Sequence, residues 1–163
     1  MSILCCGDIE ISDLASLLGK FSIQLHLVED SKKIPGSWFG DPEAGIITNN
    51  LYVRNDTPVH SALHESCHYI CMSPDRRKNL HTNAGGDYDE ENAVCYLSIL
   101  LSEHINSFGR ERMLNDMDEW GYTFRLGSSK AWFEADAEDA KELLIKYKII
   151  DLNNNPLWEI RKQ

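Results

Sequence analysis

Residues 64 to 68 read His64-Glu65-Ser66-Cys67-His68, an HExxH arrangement, and the architecture predicted for the chain is built outward from this stretch. On a helix, His64 and His68 lie one turn apart on the same face, so both imidazoles can reach one metal ion. Glu65 is rotated about a quarter turn away, where its carboxylate can handle protons beside the metal without binding it. The pattern therefore predicts a mononuclear metal site with Glu65 as the catalytic residue.

The helix that carries this stretch is bounded by proline at both ends. Thr57 is a favourable N-cap residue, and Pro58 suits the first helical position because the N–H that proline lacks would have no partner there. Ser73-Pro74 ends the helix, since proline cannot continue it. A polar loop over residues 78–87 then leads to a second helix, predicted for residues 89–107.

The rest of the chain predicts an α+β domain, because strands are concentrated early and helices late. Residues 8–19 have the apolar spacing of a helix, residues 21–27 alternate as a half-buried strand does, and residues 45–53 indicate another strand, interrupted at Asn49-Asn50. The later segments are predicted as a helix over 110–120, a strand over 122–126, a helix or helix pair over 129–147, and a turn over 151–156 between two short strands. We expect one domain over residues 1–163, with a small antiparallel sheet packed on the HExxH helix and on the second, ligand-bearing helix.

Composition narrows the class of protein. The 163 residues are enough for one domain with a substantial core, and a formal net charge of −10 argues against nonspecific binding to nucleic acid or to an anionic membrane. The amino terminus shows no basic region followed by a long apolar run, so no signal peptide is evident. Five cysteines in a chain without a secretion signal fit reduced thiols. We expect a cytoplasmic protein.

A third metal ligand is predicted from the acidic cluster at the start of the second helix. Steps of three and four from Glu90 reach an apolar stripe, whereas steps from Glu91 reach a more polar face. Glu90 is therefore predicted to point inward to the metal, because an acid on an apolar stripe is costly unless something pairs with it. Glu91 is predicted to face water, Asp87 is the reserve candidate, and Asp89 fits an ordinary solvated helix start.

Other side chains near the motif have both a functional and an ordinary interpretation. His60 is a candidate donor to a ligand or simply a first-turn residue, and Cys71 is either a further ligand or an apolar filler. Cys67 and Cys95 are expected in the core. His81 and Tyr88 are candidates to stabilise charge on a substrate, or loop residues without a role. Trp38-Phe39 and the loop over residues 78–87 are the candidate substrate contacts.

The motif together with Glu90-Glu91-Asn92-Ala93 and Leu100-Leu101 resembles the gluzincin pattern of zinc peptidases. It is most similar to a family of small cytoplasmic peptidase-like proteins that cleave phage or stress-response repressors, and the resemblance covers roughly residues 57–101. It implies a zincin-like fold and a metal held by His64, His68 and Glu90.

A second resemblance is local. Residues 61–77, with small residues before the motif, Tyr69 directly after it and Arg76-Arg77 beyond, are similar to bacterial elongation factor P hydroxylases. That resemblance implies iron and the hydroxylation of a modified lysine. Arg76-Arg77 would then be candidate contacts to an acidic partner, although arginines following a helix are commonly surface residues.

Two histidines and one carboxylate suit either chemistry. With Zn²⁺ the prediction is hydrolysis of peptide or amide bonds in a peptide or protein substrate, with Glu65 as general base. With Fe²⁺ the same ligands leave positions for dioxygen and substrate, and Glu65 has no obligatory role. The third alternative is a structural metal with a closed ligand set that adds Cys71, or an inactive protein that only binds partners.

Overall fold

A computed structural model describes residues 2–163, which form eleven helices, turns and strands. The three short strands all lie in the amino-terminal part and pack on one side of the central helix, and the carboxyl-terminal part is helical. The elements are a 3₁₀ turn (Cys6–Asp8), α1 (Ile11–Gly19), β1 (Gln24–Leu27), β2 (Gly45–Ile47), β3 (Asn50–Val53), α2 (Val59–Cys71), α3 (Pro74–Lys78), α4 (Tyr88–Ser102), α5 (Arg110–Trp120), α6 (Ser129–Ala135) and α7 (Glu138–Lys146). The mixed content confirms an α+β arrangement.

The sheet has three strands in the order β1-β3-β2. Strand β3 pairs in parallel with β1, with Leu25 opposite Leu51, and antiparallel with β2, with Ile46 opposite Leu51. The sheet is therefore mixed, and the prediction of an antiparallel sheet is wrong for the β1–β3 pair. The strand predicted over residues 45–53 is a hairpin, because the polar Thr48 and Asn49 form its turn and Thr48 has a positive φ of 49°.

Helix α2 occupies the centre of the molecule. All thirteen of its residues are buried, because β2 and β3 cover one side, α4 covers another and α5 a third. The most extensive helix pairing is between α2 and α4. Burying polar side chains without partners is costly, and His60 Nε2, His64 Nδ1 and His68 Nδ1 have no hydrogen-bond partner in the described chain. The HExxH residues are thus interior groups and not part of a solvated helical face.

The ends of α2 are held differently from the prediction. Thr57 does not cap the helix: its hydroxyl accepts a hydrogen bond from the N–H of Arg54 in the preceding turn, and Pro58 occupies the N-cap position without a side-chain bond. At the other end, the buried guanidinium of Arg77 donates to the carbonyls of Tyr69, Ile70 and Met72. These carbonyls belong to the last turn of α2, where a helix has no intrahelical donors left.

The chain's last segment contributes to the same cap. Arg161 donates its backbone N–H to Ile70 O and a guanidinium N–H to Cys71 O, and its own carbonyl accepts from Arg77. Two positive charges therefore face the negative end of the α2 dipole. Since the guanidinium of Arg77 is buried and bonded to these carbonyls, Arg77 is not a surface contact for a partner.

Replacing Arg77 by alanine is expected to lower the free energy of unfolding by about 2–4 kcal/mol, because several buried carbonyls lose their donor. Urea denaturation followed by circular dichroism measures the change. Lys78→Ala is the matched control, since Lys78 is an exposed cation on the same short helix. A loss below about 1 kcal/mol would show that the carbonyls find other partners.

The carboxyl-terminal half departs from the prediction at several places. Helix α4 ends at Ser102 and not at residue 107. Residues 122–126 are an irregular segment and not a strand, because Tyr122 and Phe124 turn inward to stack on neighbouring aromatic rings. The helix pair over 129–147 is confirmed as α6 and α7. The terminal turn is confirmed in part, with Asp151 accepting from the N–H groups of Asn153 and Asn155 and a single bridge joining Ile150 to Pro156.

A long connection over residues 34–44 passes beside the edge strand β2, where Gly36 O accepts from the N–H of Ile46, and is held by further hydrogen bonds. Asp41 accepts from the N–H of Ile34 and pairs with Arg54 at 3.1 Å. Gly45 is needed where this connection crosses, because a Cβ there would lie 1.8 Å from Pro35 O. The connection holds Trp38 and Phe39 at the surface, where both rings are more than half exposed. None of the helices in residues 2–163 has the length and apolar character needed to cross a membrane.

Candidate metal centre

The two motif histidines meet one carboxylate. His64 Nε2 lies 2.8 Å from Glu91 Oε1, His68 Nε2 lies 3.2 Å from Glu91 Oε2, and the two Nε2 atoms are 3.2 Å apart. All three donor atoms lie within 4.8 Å of one another. Ligands at about 2.0–2.1 Å from a tetrahedral zinc would be roughly 3.3–3.4 Å apart, close to what is observed. The residues present therefore fit a divalent metal ion.

The third residue is Glu91, and the prediction of Glu90 is corrected. Glu90 does not join the two histidines: its carboxylate receives two hydrogen bonds from Arg76, at 2.6 and 2.9 Å. The prediction failed because α4 is buried around most of its circumference from Ala93 onward, so its apolar stripe does not identify the face toward α2. Glu90 does have the partner that its burial requires, but the partner is a guanidinium.

Arg76 and Glu90 together organise the loop beside the site. The second Arg76 amino group also donates to Ala84 O, at 2.7 Å. Gly86 has a φ of 98°, and a Cβ there would meet Glu90 Oε1 at 2.8 Å, so glycine lets the loop close over the ion pair. Asp87, the reserve ligand candidate, caps α4 by accepting from the N–H of Glu90. Arg76, on α3, thus ties this loop to α4 through Ala84 and Glu90.

Glu65 lies beside the histidines but is not part of their cluster. It is about nine-tenths buried and lines the cavities on both sides of the site. Burial raises the pKa of its carboxyl group, and the neighbouring His64 and His68 only partly oppose that rise. No arginine or lysine pairs with it among residues 2–163. Its carboxylate is therefore available to exchange protons at the site.

The cluster is strongly polarised. Burial opposes the charged forms, yet the hydrogen bonds from His64 and His68 hold the pKa of Glu91 well below its usual range. The pKa of His64 is correspondingly well above its ordinary value, because Tyr122, Cys95 and Glu91 all favour the charged ring over the cost of burial. Of these, Glu91 is anionic at neutral pH. A metal cation binding here would take the place of a proton, so its affinity falls as pH falls.

Two further rings adjoin His64. Tyr122 packs edge-on against it, with ring centroids 5.7 Å apart, and the Tyr122 hydroxyl lies 3.4 Å from His60 Nδ1. His60 is fully buried, and burial lowers its pKa to about 3, so it is neutral. It does not contact the ligand pair as a donor. Sequence reasoning missed Tyr122 because it was assigned to a strand far along the chain.

The remaining predicted residues lie outside the cluster. Cys71 is a buried thiol whose pKa is raised by burial and by Glu90, and it is not among the grouped donors. Cys67 and Cys95 are buried as expected, although Cys95 lies next to His64. His81 bonds to Thr82 on the exposed loop, and Tyr88 is 72% exposed on the far side of α4.

The cluster opens into a cleft with a cavity on each side. One cavity, of about 290 Å³, is bounded by Phe39, Glu43, Trp120 and Tyr122. The other, of about 270 Å³, is bounded by Trp38, Phe39 and the loop over residues 82–86. The residues common to both are Phe39, His64, Glu65 and Glu91. The predicted substrate contacts thus lie at the cleft, and Trp120 joins them.

Comparison of the chain with protein families, with characterised proteins and with solved structures finds no match. What can be said of the site follows from its own geometry.

Proposed function

We propose that this protein is a zinc-dependent hydrolase of peptide or amide bonds, in which His64, His68 and Glu91 hold the metal. The observation that carries the proposal is Glu65, a buried carboxylate without a basic partner, placed between two histidine ligands and facing a cleft. A structural metal site needs no such acid. A site for dioxygen chemistry has no obligatory use for it either.

The donor set and the surroundings support the proposal. Two imidazoles and one carboxylate leave a fourth zinc position for the reaction. Zinc, when bound, supplies Lewis-acid activation of a water molecule and of the scissile carbonyl. The packing of α2 between a small sheet and α4 is consistent with the zincin-like arrangement, which remains part of the proposal.

Glu65 acts as the proton carrier in this scheme. Its raised pKa brings it closer to the pH of the reaction, which is the condition for efficient general acid–base catalysis. It takes a proton from the attacking water and delivers it to the amine that leaves. Tyr122 lines the same cleft, and burial raises the pKa of its hydroxyl, so it stays protonated and can donate to negative charge developing on the carbonyl oxygen.

Removal and replacement of the metal tests the proposal. The protein is stripped with a chelator, reconstituted with Zn²⁺ or Fe²⁺, and incubated with a mixture of unstructured peptides that is analysed by mass spectrometry. We expect cleavage with zinc, loss of cleavage on chelation and recovery on adding zinc back. A His64→Ala/His68→Ala double variant is the control for a contaminating peptidase.

Three results would contradict the proposal. Addition of one oxygen atom to a substrate, seen only with ferrous iron and dioxygen, would favour the hydroxylase. Unfolding on chelation, with no cleavage under any condition, would favour a structural metal. Failure to bind either metal would favour a protein that only binds partners.

A further inference from the structure

The two cavities beside the metal cluster differ in charge. The cavity under Trp38 is bounded by backbone and small side chains of the loop over residues 82–86. The cavity under Trp120 contains one additional acid, Glu43. No lysine or arginine lines either cavity among residues 2–163. Glu65 and Glu91 line both cavities, so the side of the cleft beside Trp120 carries one acid more than the other.

Glu43 is held at this place from several directions. Its Oε1 accepts a hydrogen bond from Trp120 Nε1 at 3.2 Å, and its backbone carbonyl accepts from the Ser37 hydroxyl at 3.0 Å. The next residue, Ala44, donates its N–H to the buried hydroxyl of Ser61 on α2, at 3.0 Å. The carboxylate is thus anchored to the helix that carries the histidines, and Trp120 leaves its second oxygen without a side-chain donor in the described chain.

A charge count shows which acid lacks compensation. A divalent metal brings two positive charges, which Glu65 and Glu91 neutralise, since the two histidines are neutral as ligands. Burial raises the pKa of Glu43, whereas the N–H of Trp120 favours its charged form. As a carboxylate, Glu43 has no lysine or arginine beside it among the residues that line the cavity. Burying it beside a substrate without a positive partner would be unfavourable.

We propose that Glu43 is a specificity-determining residue that binds an ammonium or guanidinium group of the substrate, next to the bond to be cleaved. Phe39 and Trp120 line the same cavity, and an aromatic ring beside such a group can add cation–π attraction. The substrate class is thus a peptide with a lysine or arginine side chain, or a free amino terminus, at this position. The position of this cation site beside a cleaved bond rests on the proposed function, whereas binding of the cation by Glu43 does not.

Binding without turnover tests the inference. The zinc-loaded Glu65→Gln protein is titrated calorimetrically with two Nα-acetylated pentapeptides that differ only in a central lysine or norleucine, whose side chains differ by the amine. A third peptide carries norleucine and a free amino terminus. The titrations are repeated with Glu43→Gln added and, as a control for the loss of one charge, with Glu119→Gln on the exposed face of α5.

We expect the lysine peptide to bind about tenfold more tightly than the norleucine peptide, since charge-assisted hydrogen bonds are the strong ones. Glu43→Gln should abolish the difference, Glu119→Gln should keep it, and zinc content should be the same in all. A preference for the free amino terminus in place of lysine assigns the α-ammonium as the ligand. Equal affinities, a preference that survives Glu43→Gln, or no peptide binding overturns the inference.

The two proposals fail in different ways. If the protein prefers the charged peptide but the variant-free protein hydrolyses no peptide, the hydrolase proposal is wrong and the cation site stands. Hydrolysis that is indifferent both to lysine and to a free amino terminus would do the opposite. If Glu43→Gln lowers thermal stability, Trp120→Phe provides a second variant, because it removes the N–H that orients Glu43 and should weaken the preference by a smaller factor.

Discussion

Glu65→Gln is expected to lower the rate of peptide hydrolysis by about 10²–10⁴-fold, the range typical for loss of a general acid–base residue. Glutamine has the same size and cannot carry a proton. The metal cluster does not include Glu65, so zinc content should be unchanged. Steady-state kinetics and elemental analysis of the same preparation measure the two quantities.

The pH dependence provides a second measurement on this variant. Because the pKa of Glu65 is raised, the acidic limb of kcat/KM should lie above the ordinary glutamate range in the parent protein. Residual activity of the variant should lack that limb. A variant that keeps more than about a tenth of the parent rate would show that Glu65 is not the base.

Glu91→Gln is expected to weaken zinc binding by more than about 100-fold, because changes that only reorient a ligand already cost 10–100-fold. Glu90→Gln is the matched control, the same change one residue earlier. It should leave zinc affinity within a few-fold of the parent, since Glu90 is engaged by Arg76. Competition with a chromophoric chelator measures both constants.

The control variant has its own phenotype. Glu90→Gln removes the charged partner of Arg76 and should lower the free energy of unfolding by about 1–3 kcal/mol, the cost of leaving a charged group poorly paired. It should also expose the loop over residues 82–86 to proteases, because Arg76 ties Ala84 through the same pair. Loss of zinc in Glu90→Gln with retention in Glu91→Gln would reverse the assignment of the ligand.

The sequence predicted the part of the site that depends on local geometry. His64, Glu65 and His68 lie on one helix, and their relative positions follow from helical pitch alone. Most element positions were predicted for the same reason, since apolar periodicity is local. The third ligand was not predictable in this way, because it depends on how α4 is rotated against α2, and a helix buried on nearly all sides carries no clear phase.

Contacts between residues far apart in the sequence were the second feature that could not be predicted. The bond between Glu90 and Arg76 joins side chains fourteen residues apart, and that between Trp120 and Glu43 joins side chains seventy-seven apart. Tyr122 was assigned to a strand, although aromatic stacking holds its segment in an irregular conformation. The only sequence feature that pointed to Glu91 was its position next to Glu90, which was expected to bind the metal. Residue spacing alone cannot decide which of two adjacent acids is the ligand.

The tied connection over residues 34–44 has a consequence for how the cleft selects its substrate. Its backbone is fixed by the crossing at Gly45 and by the bonds of Asp41, Ser37 and Ala44. Trp38 and Phe39 are therefore displayed on a preorganised frame, and little conformational entropy is lost there when a ligand docks. Under the proposed function, we expect selectivity at this edge to come from a preformed shape, and not from a segment that folds around its target.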